Sequence, residues 1–259
     1  MIIYEFDGTM TGVLSCIFRA FQFKDFDVRI VPKGMIQHHL FTEVIDVASN
    51  DEKAQRVWIA LKKRVSSRAI RDFYYTFLSE HENAFQQLFN FAIYVFQSKN
   101  RIDTNYGHSA VLGLSQWAKQ VGREKHRMEA FVRFKKCKNH VFVSLVRPDF
   151  NVLPLIERHF RTRYQDQKWL IYDEKRKFGI YYDLDQVHQI EMDANAIDRN
   201  LQTGFSQHFL IELDDDEVLY DQLWKDYFQR VNIVARSNLK LHIQYVPKRY
   251  WRYMNEKLL

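Results

Sequence analysis

Three basic side chains and a histidine recur along one segment of the chain at helical spacing. Lys119, Arg123 and Arg127 stand four residues apart, and His126 lies beside them. In a helix this spacing places the three cations on one face. Each Lys or Arg on such a face can neutralise a phosphate and release a counterion. The pattern indicates a nucleic-acid-binding face, and a solvated helix face is the open alternative.

A second basic cluster follows in the last turns of a helix predicted over residues 152–164. It contains Arg158, His159, Arg161 and Arg163. Positive charge there can bind phosphates, and it also suits the negative end of the helix dipole. Asp149 and Asn151 precede this helix, where capping and catalysis are both open interpretations.

The third cluster lies close to the end of the sequence, where basic and aromatic residues alternate. Its members are Lys248, Arg249, Tyr250, Trp251, Arg252 and Tyr253. Such a segment can pair phosphate contacts with stacking on exposed bases. Docking of the segment onto the core through Tyr250 and Trp251 explains the same residues.

Signatures of catalysis and of metal binding are sparse. The sequence has no Gly-rich phosphate loop, no His-Glu-x-x-His and no Gly-x-Ser-x-Gly. Two cysteines are too few for an iron–sulfur cluster or a four-cysteine zinc site, so we predict no metal and no cofactor. Cys137 follows two lysines and precedes a third, which predicts a lowered pKa for its thiol. A general acid–base role of His126 or His159 near Asp149 is the one enzymatic hypothesis.

Composition indicates a folded chain. Of 259 residues, 46% are hydrophobic, and only 8 Gly and 4 Pro are present, which excludes disordered and linker-rich classes. No apolar run is long enough to span a bilayer. The acidic residues near the start argue against a signal peptide. We therefore expect a soluble cytoplasmic protein with no membrane partner.

Apolar periodicity predicts the elements that must position these clusters. A strand over 2–6 and a helix over 11–21 open the chain, and Ser49 with Glu52 forms a predicted capping box before a mostly helical stretch over 50–128. Predicted strands and helices then follow in the order strands 131–135 and 141–146, helix 152–164, strands 169–172 and 178–182, helix 217–234 and strand 239–245.

The predicted fold class is α+β. A helical N-terminal half, residues 1–128, precedes an antiparallel sheet with packed helices and a ββαββ core, residues 129–259, and the two are expected to form one integrated unit.

Charge is unevenly distributed along the sequence. Residues 119–177 carry a net charge of +9, whereas residues 183–221 carry −10. This asymmetry is typical of an anion-binding surface next to an acidic lid or partner-binding segment. Folding of the acidic stretch against the basic one is the alternative.

Motifs in order along the chain resemble a family of bacterial DNA-metabolism proteins whose central domain is catalogued as of unknown function. The most specific similarity is Val-Gly-Arg-Glu-Lys-His-Arg-Met-Glu-Ala-Phe-Val-Arg-Phe at 121–134. Further similarities lie at 4–9, 56–58, 148–160, 169–173, 179–183, 223–228 and 247–251.

The resemblance implies a protein that accompanies a radical S-adenosylmethionine (radical-SAM) protein of DNA modification or repair. Some relatives are fused to a uracil-DNA glycosylase-like domain, and this chain would correspond to the free-standing form. The resemblance supplies no catalytic residues. We therefore predict a nucleic-acid-binding accessory protein that works with a radical-SAM partner. A hydrolase or lyase acting on DNA or nucleotides, and an adaptor that binds only protein, are the alternatives.

Overall fold

The computed structural model describes residues 2–35, 43–191, 213–217, 219, 220, 222, 223 and 239–257. The chain divides into two compact units, unit 1 over residues 1–123 and unit 2 over residues 124–259. The dividing point falls within helix α5 (Ser109–Phe131).

Unit 1 contains a parallel three-stranded sheet. Strand β1 (Ile2–Phe6) lies in the middle, between β2 (Val28–Pro32) and β3 (Glu43–Asp46). The predicted first strand is therefore confirmed. The parallel neighbours were not predicted.

Helices supply the rest of unit 1 and confirm the predicted helical stretch. They are α1 (Met10–Phe23), α2 (Asp51–Arg64), α3 (Ser67–Phe77), α4 (Glu82–Gln97) and the first part of α5. Their apolar faces meet in one core that includes Phe73, Leu88 and Phe89. Removing these apolar faces from water provides most of the free energy that holds the helices together.

The predicted capping box is wrong by one residue. Asn50, not Ser49, is the N-cap of α2, and its side chain accepts a hydrogen bond from the Lys53 backbone N–H. The Ser49 hydroxyl instead donates to the Asp7 carboxylate over 2.6 Å. The Ser49 side chain is therefore bound to Asp7, which lies in the loop that follows β1.

Unit 2 contains a five-stranded sheet in the order β4-β5-β6-β7-β8. The strands are β4 (Lys135–Lys136), β5 (Phe142–Val146), β6 (Trp169–Asp173), β7 (Phe178–Tyr182) and β8 (Val187–Glu191). Strand β6 is the middle strand and is buried along its whole length. The expected α+β class is confirmed, and the sheet is mostly antiparallel.

One pair of strands runs parallel. Strands β5 and β6 pair in parallel from Phe142 with Trp169 to Val146 with Asp173. Helix α6 (Leu153–Arg163) connects them, because parallel neighbours need a crossover rather than a hairpin. This crossover carries the second basic cluster.

Two predicted strands differ in the structure. Helix α5 continues to Phe131, and the strand predicted over 131–135 is reduced to β4, which contains only Lys135 and Lys136. The strand predicted over 239–245 is wrong, because Leu239–Tyr245 forms helix α7. Seven residues are too few to separate the two periodicities. Tyr245, the last residue of this helix, is 66% exposed. The helix predicted over 217–234 lies largely outside the described residues.

None of the described helices combines the length and the apolar character that crossing a membrane demands.

Candidate nucleic-acid interface

Glu124 occupies the centre of a polar network in unit 2. Its side chain is 1% exposed. One carboxylate oxygen accepts hydrogen bonds from the Tyr250 hydroxyl and, over 2.8 Å, from the Asp149 backbone N–H. The other oxygen accepts from Arg249 Nη2 at 3.3 Å and Arg127 Nη1 at 3.4 Å. A buried carboxylate needs such donors, because an unpaired buried charge costs several kcal/mol, by order of magnitude.

Asp149 belongs to the same network. Its carboxylate binds Arg249 Nη2 at 2.7 Å. Its backbone carbonyl accepts from Lys175 Nζ at 2.8 Å and from Arg176 Nη2 at 3.0 Å. The N-cap of α6 is Val152, so the capping interpretation of Asp149 and Asn151 does not hold for the N-cap position. Asp149 instead fixes the loop that leads into α6.

Arg176 also contacts this loop. Its guanidinium donates to the Pro148 carbonyl at 3.2 Å and pairs with the fully buried Asp173 carboxylate at 2.8 Å. Burial raises the pKa of Asp173, and the Arg176 guanidinium opposes that shift. The pair is therefore part of the scaffold of the loop.

The environment of Tyr250 keeps its hydroxyl protonated. Burial, followed by the hydrogen bond to Glu124, raises the pKa of Tyr250 well above its ordinary value. A protonated hydroxyl can donate to the carboxylate at any pH at which the protein is studied. The Arg249 guanidinium lies over the Tyr250 ring, 4.5 Å from its centroid.

The C-terminal basic cluster is docked in its central part. Residues Lys248–Tyr253 form a 3-10 helix in which Tyr250 is 1% exposed. The Trp251 indole N–H donates to the Val246 carbonyl at 2.9 Å. Arg252 and Tyr253 both bind the Glu174 carboxylate. The docking interpretation therefore describes Tyr250, while Lys248 remains exposed.

Helix α6 presents its cations differently. Arg158, Arg161 and Arg163 are all exposed. Arg161 donates to the Asp185 backbone carbonyl at 3.0 Å. Within the part of the chain that the structure describes, no carboxylate pairs with any of the three. These guanidinium groups are available for an external anion.

Lys119 and Arg123 lie on the portion of α5 that belongs to unit 1. Both are exposed, and neither forms an ion pair with a described residue. Arg127, four residues further along, is tied to Glu124 in unit 2. The three cations predicted to act alike therefore differ in their environments.

A cleft of about 570 Å³ lies in unit 2 beside α6. Four aromatic residues contribute to its walls, namely Phe134, Phe142, Phe160 and Tyr164. The Tyr164 ring lies parallel to Phe160 with centroids 6.1 Å apart, and meets Phe134 edge-on at 5.3 Å. The volume falls within the range that is typical of small-molecule sites.

Polar groups line the same cleft. They are Glu129, Arg133, His159, Arg163 and Gln167. The Glu129 carboxylate accepts from Lys125 Nζ at 2.6 Å, and the Arg163 guanidinium lies 5.8 Å from the Tyr164 ring centroid. The cleft thus combines aromatic faces with groups that can bind base edges and phosphate.

Both candidate histidines face one carboxylate that was not predicted. His159 Nδ1 lies 3.9 Å and His126 Nδ1 lies 3.8 Å from oxygens of Glu129. Among the described residues, Asp149 contacts neither histidine, because its carboxylate is engaged by Arg249. The acid–base hypothesis therefore has Glu129, rather than Asp149, as the partner of His159.

The lowered pKa predicted for the Cys137 thiol is wrong. Its thiol is fully buried, and burial together with Glu217 raises its pKa to about 12. The neighbouring lysines are drawn to acidic residues instead, since Lys136 Nζ binds Asp214 at 2.8 Å and Lys138 Nζ lies 3.5 Å from Asp215.

The acidic residues next to this turn fold against it. The Asp214 backbone N–H donates to the Lys136 carbonyl at 3.0 Å, and Leu213 forms an isolated antiparallel bridge with Cys137. For residues 213–217, the alternative in which the acidic stretch folds onto the basic one is therefore correct. Most of the acidic stretch lies outside the described residues.

The described part of the chain contains no group of three or more His, Cys, Asp or Glu side chains that could hold a metal ion.

Sequence reasoning missed Glu124, which has a recognisable signal. It follows Val121 by three residues and precedes Met128 by four, so it lies on the apolar stripe of α5. A carboxylate on a buried stripe must have partners. The cleft itself has no such signal, because its walls come from α5, α6 and the segments between them.

A family model described as a domain of unknown function (DUF4130) matches residues 82–256, more than half of the chain. The chain belongs to this family. The matched span includes the Glu124 network and the whole cleft. A comparison with curated proteins finds none that matches.

We expect Glu124→Gln to lower the free energy of unfolding by about 2–4 kcal/mol, because an amide would leave Arg127 without its anion and Arg249 with Asp149 alone. Urea denaturation followed by circular dichroism measures the change. Glu129→Gln is the matched control on the same helix and should cost less, because the Glu129 side chain is 16% exposed whereas that of Glu124 is 1% exposed. Equal losses in the two variants would contradict a central role of Glu124.

We expect Cys137 to resist thiol reagents in the folded protein. The raised pKa means that the folded protein favours the neutral Cys137 thiol. This preference contributes fully to the free energy of unfolding below the unfolded thiol's pKa of about 8.5, and the contribution is lost as the pH rises toward 12. At pH 8, Ellman's reagent should react with neither cysteine until urea is added, because Cys16 is also buried. Rapid labelling of Cys137 in the folded protein would contradict the buried position.

Proposed function

We propose that the protein binds nucleic acid through α6 and serves as an accessory protein in DNA repair or modification. The observation that carries this proposal is the contrast among its arginines. Arg127, Arg249 and Arg252 are paired with carboxylates of the fold, whereas Arg158 and Arg163 have no such partner among the described residues. Two exposed guanidinium groups on one helix can each neutralise a phosphate.

Position along the helix strengthens this interpretation. The Asp149 backbone N–H donates to Glu124 and anchors the loop before α6, so the start of the helix that carries the cations has a fixed support. The helix dipole alone explains positive charge in a last turn. It does not explain a cleft with aromatic walls beside that turn, which a nucleic-acid ligand would use.

The role in DNA maintenance and the radical-SAM partner rest on the sequence resemblance. We infer that such a partner would supply the redox chemistry and that this protein would hold the nucleic acid. Co-expression of the two proteins with a tag on one should give a stable complex on size-exclusion chromatography. Separate elution at micromolar concentrations would remove the partner from the proposal.

We expect salt-sensitive binding of labelled single-stranded or duplex DNA in a fluorescence anisotropy titration. Arg158→Ala/Arg163→Ala should weaken binding roughly tenfold at low salt, because two phosphate contacts are lost. The dependence of log K on log salt concentration should become shallower by about 1.4 for single strands. Arg161 is left unchanged because it also holds the Asp185 carbonyl.

Lys62→Ala/Lys63→Ala is the matched control, because it removes two exposed cations from the last turn of another helix, α2. This variant should bind like the wild type. Absence of binding to any DNA at low salt, or equal loss in both variants, would overturn the proposed interface. An adaptor that binds only protein would then be the better description.

A second candidate function is a hydrolase or lyase acting on DNA or nucleotides. The observation in its favour is that His159 and Glu129 line the same cleft. A general acid–base must lie within hydrogen-bond reach of the reacting group, which this cleft permits. Denaturing gels of the titration mixtures reveal cleavage, and wild-type turnover that is lost in His159→Asn would favour the enzyme.

A further inference from the structure

We propose that the cleft beside α6 accepts one unstacked base of single-stranded DNA, with the adjoining phosphate on Arg163. This inference rests on the proposed function and adds the form of nucleic acid and the place of the base. The residues that carry it are Tyr164 and its aromatic supports, the polar side chains that line the same cleft, and the guanidinium of Arg163.

Tyr164 provides the stacking surface. It is the residue at which α6 ends, and its backbone N–H is bonded to the Phe160 carbonyl at 2.9 Å. Phe134 and Phe160 hold its ring from two directions. The ring is only half-buried and lines the cleft. An aromatic ring that is held in place and partly exposed is what sequence-tolerant base stacking requires.

Hydrogen-bonding groups complete the cleft. The Gln167 amide offers both a donor and an acceptor, and the Glu129 carboxylate offers acceptors. His159, whose ring packs edge-on against Phe160 at 5.0 Å, offers either. These are the groups that pair with the exposed edges of an unstacked base.

Size and charge select the ligand. A cleft of about 570 Å³ holds a single nucleotide, whereas a duplex keeps its bases stacked and paired inside the helix. Arg163 has no carboxylate partner among the described residues, and its guanidinium adjoins the Tyr164 ring. Consecutive residues therefore provide the base contact and the phosphate contact.

The experiment compares two labelled strands of equal length in an anisotropy titration. One carries normal bases, and the other consists of abasic sugar phosphates, so the number of charges is the same. We expect wild-type protein to bind the base-containing strand at least about fivefold more tightly. Tyr164→Leu should bring this ratio close to one and leave affinity for the abasic strand unchanged, which also shows that the variant is folded.

Control variants separate stacking from charge. Tyr164→Phe should keep the ratio, and Arg158→Ala should weaken binding of both strands equally. Gln167→Ala removes no packed ring and should lower the ratio of the affinities for the two strands toward one. This variant provides a second test if Tyr164→Leu is unstable. A ratio of one in the wild type, or an unchanged ratio in both Tyr164→Leu and Gln167→Ala, overturns the inference while the proposed function stands. Failure of both strands to bind overturns both.

Discussion

A carboxylate cannot be removed from water without replacement partners, and Glu124 is 1% exposed. Its donors come from three places in the sequence of unit 2: Arg127 on the same helix, the Asp149 backbone, and Arg249 with Tyr250 more than a hundred residues later. Satisfying this one charge therefore requires α5, the loop before α6 and the 3-10 helix at Lys248–Tyr253 to be in place together. The start of α6 and the docked C-terminal cluster both depend on it.

This constraint divides the basic residues into two groups. Arg127 and Arg249 neutralise Glu124, and Arg252 neutralises Glu174, so much of the excess positive charge is used within the fold. The cations at the end of α6 neutralise no carboxylate among the described residues. Net charge alone could not make this distinction, because it counts both groups equally. Whether a guanidinium group is available to an external anion depends on whether a carboxylate of the fold is buried beside it.

The same reasoning explains what the sequence could and could not predict. Periodicity predicted β1, β5, β7 and α6 closely, because apolar faces of ordinary length dictate those elements. It failed at 239–245, where seven residues fit a helix and a strand equally. The pKa of Cys137 was predicted from neighbouring lysines, but burial and Glu217, eighty residues away, decide it. The proximity of Glu129 to His159 depends on where α6 lies, which no local pattern contains, whereas His126 lies three residues before Glu129 on the same helix.

Helix α6 joins the two parts of the functional argument. The helix is the crossover between parallel strands β5 and β6. The anchored loop at Pro148–Asp149 fixes its start, and Tyr164 fixes its end. Of the cations at the end of α6, Arg163 lines the aromatic cleft. In the proposed complex, protein groups that are already positioned would lower the entropic cost of holding a flexible single strand. A solvated helix face would need neither the buried anchor nor the aromatic cleft, and this is why the interface interpretation accounts for more of unit 2.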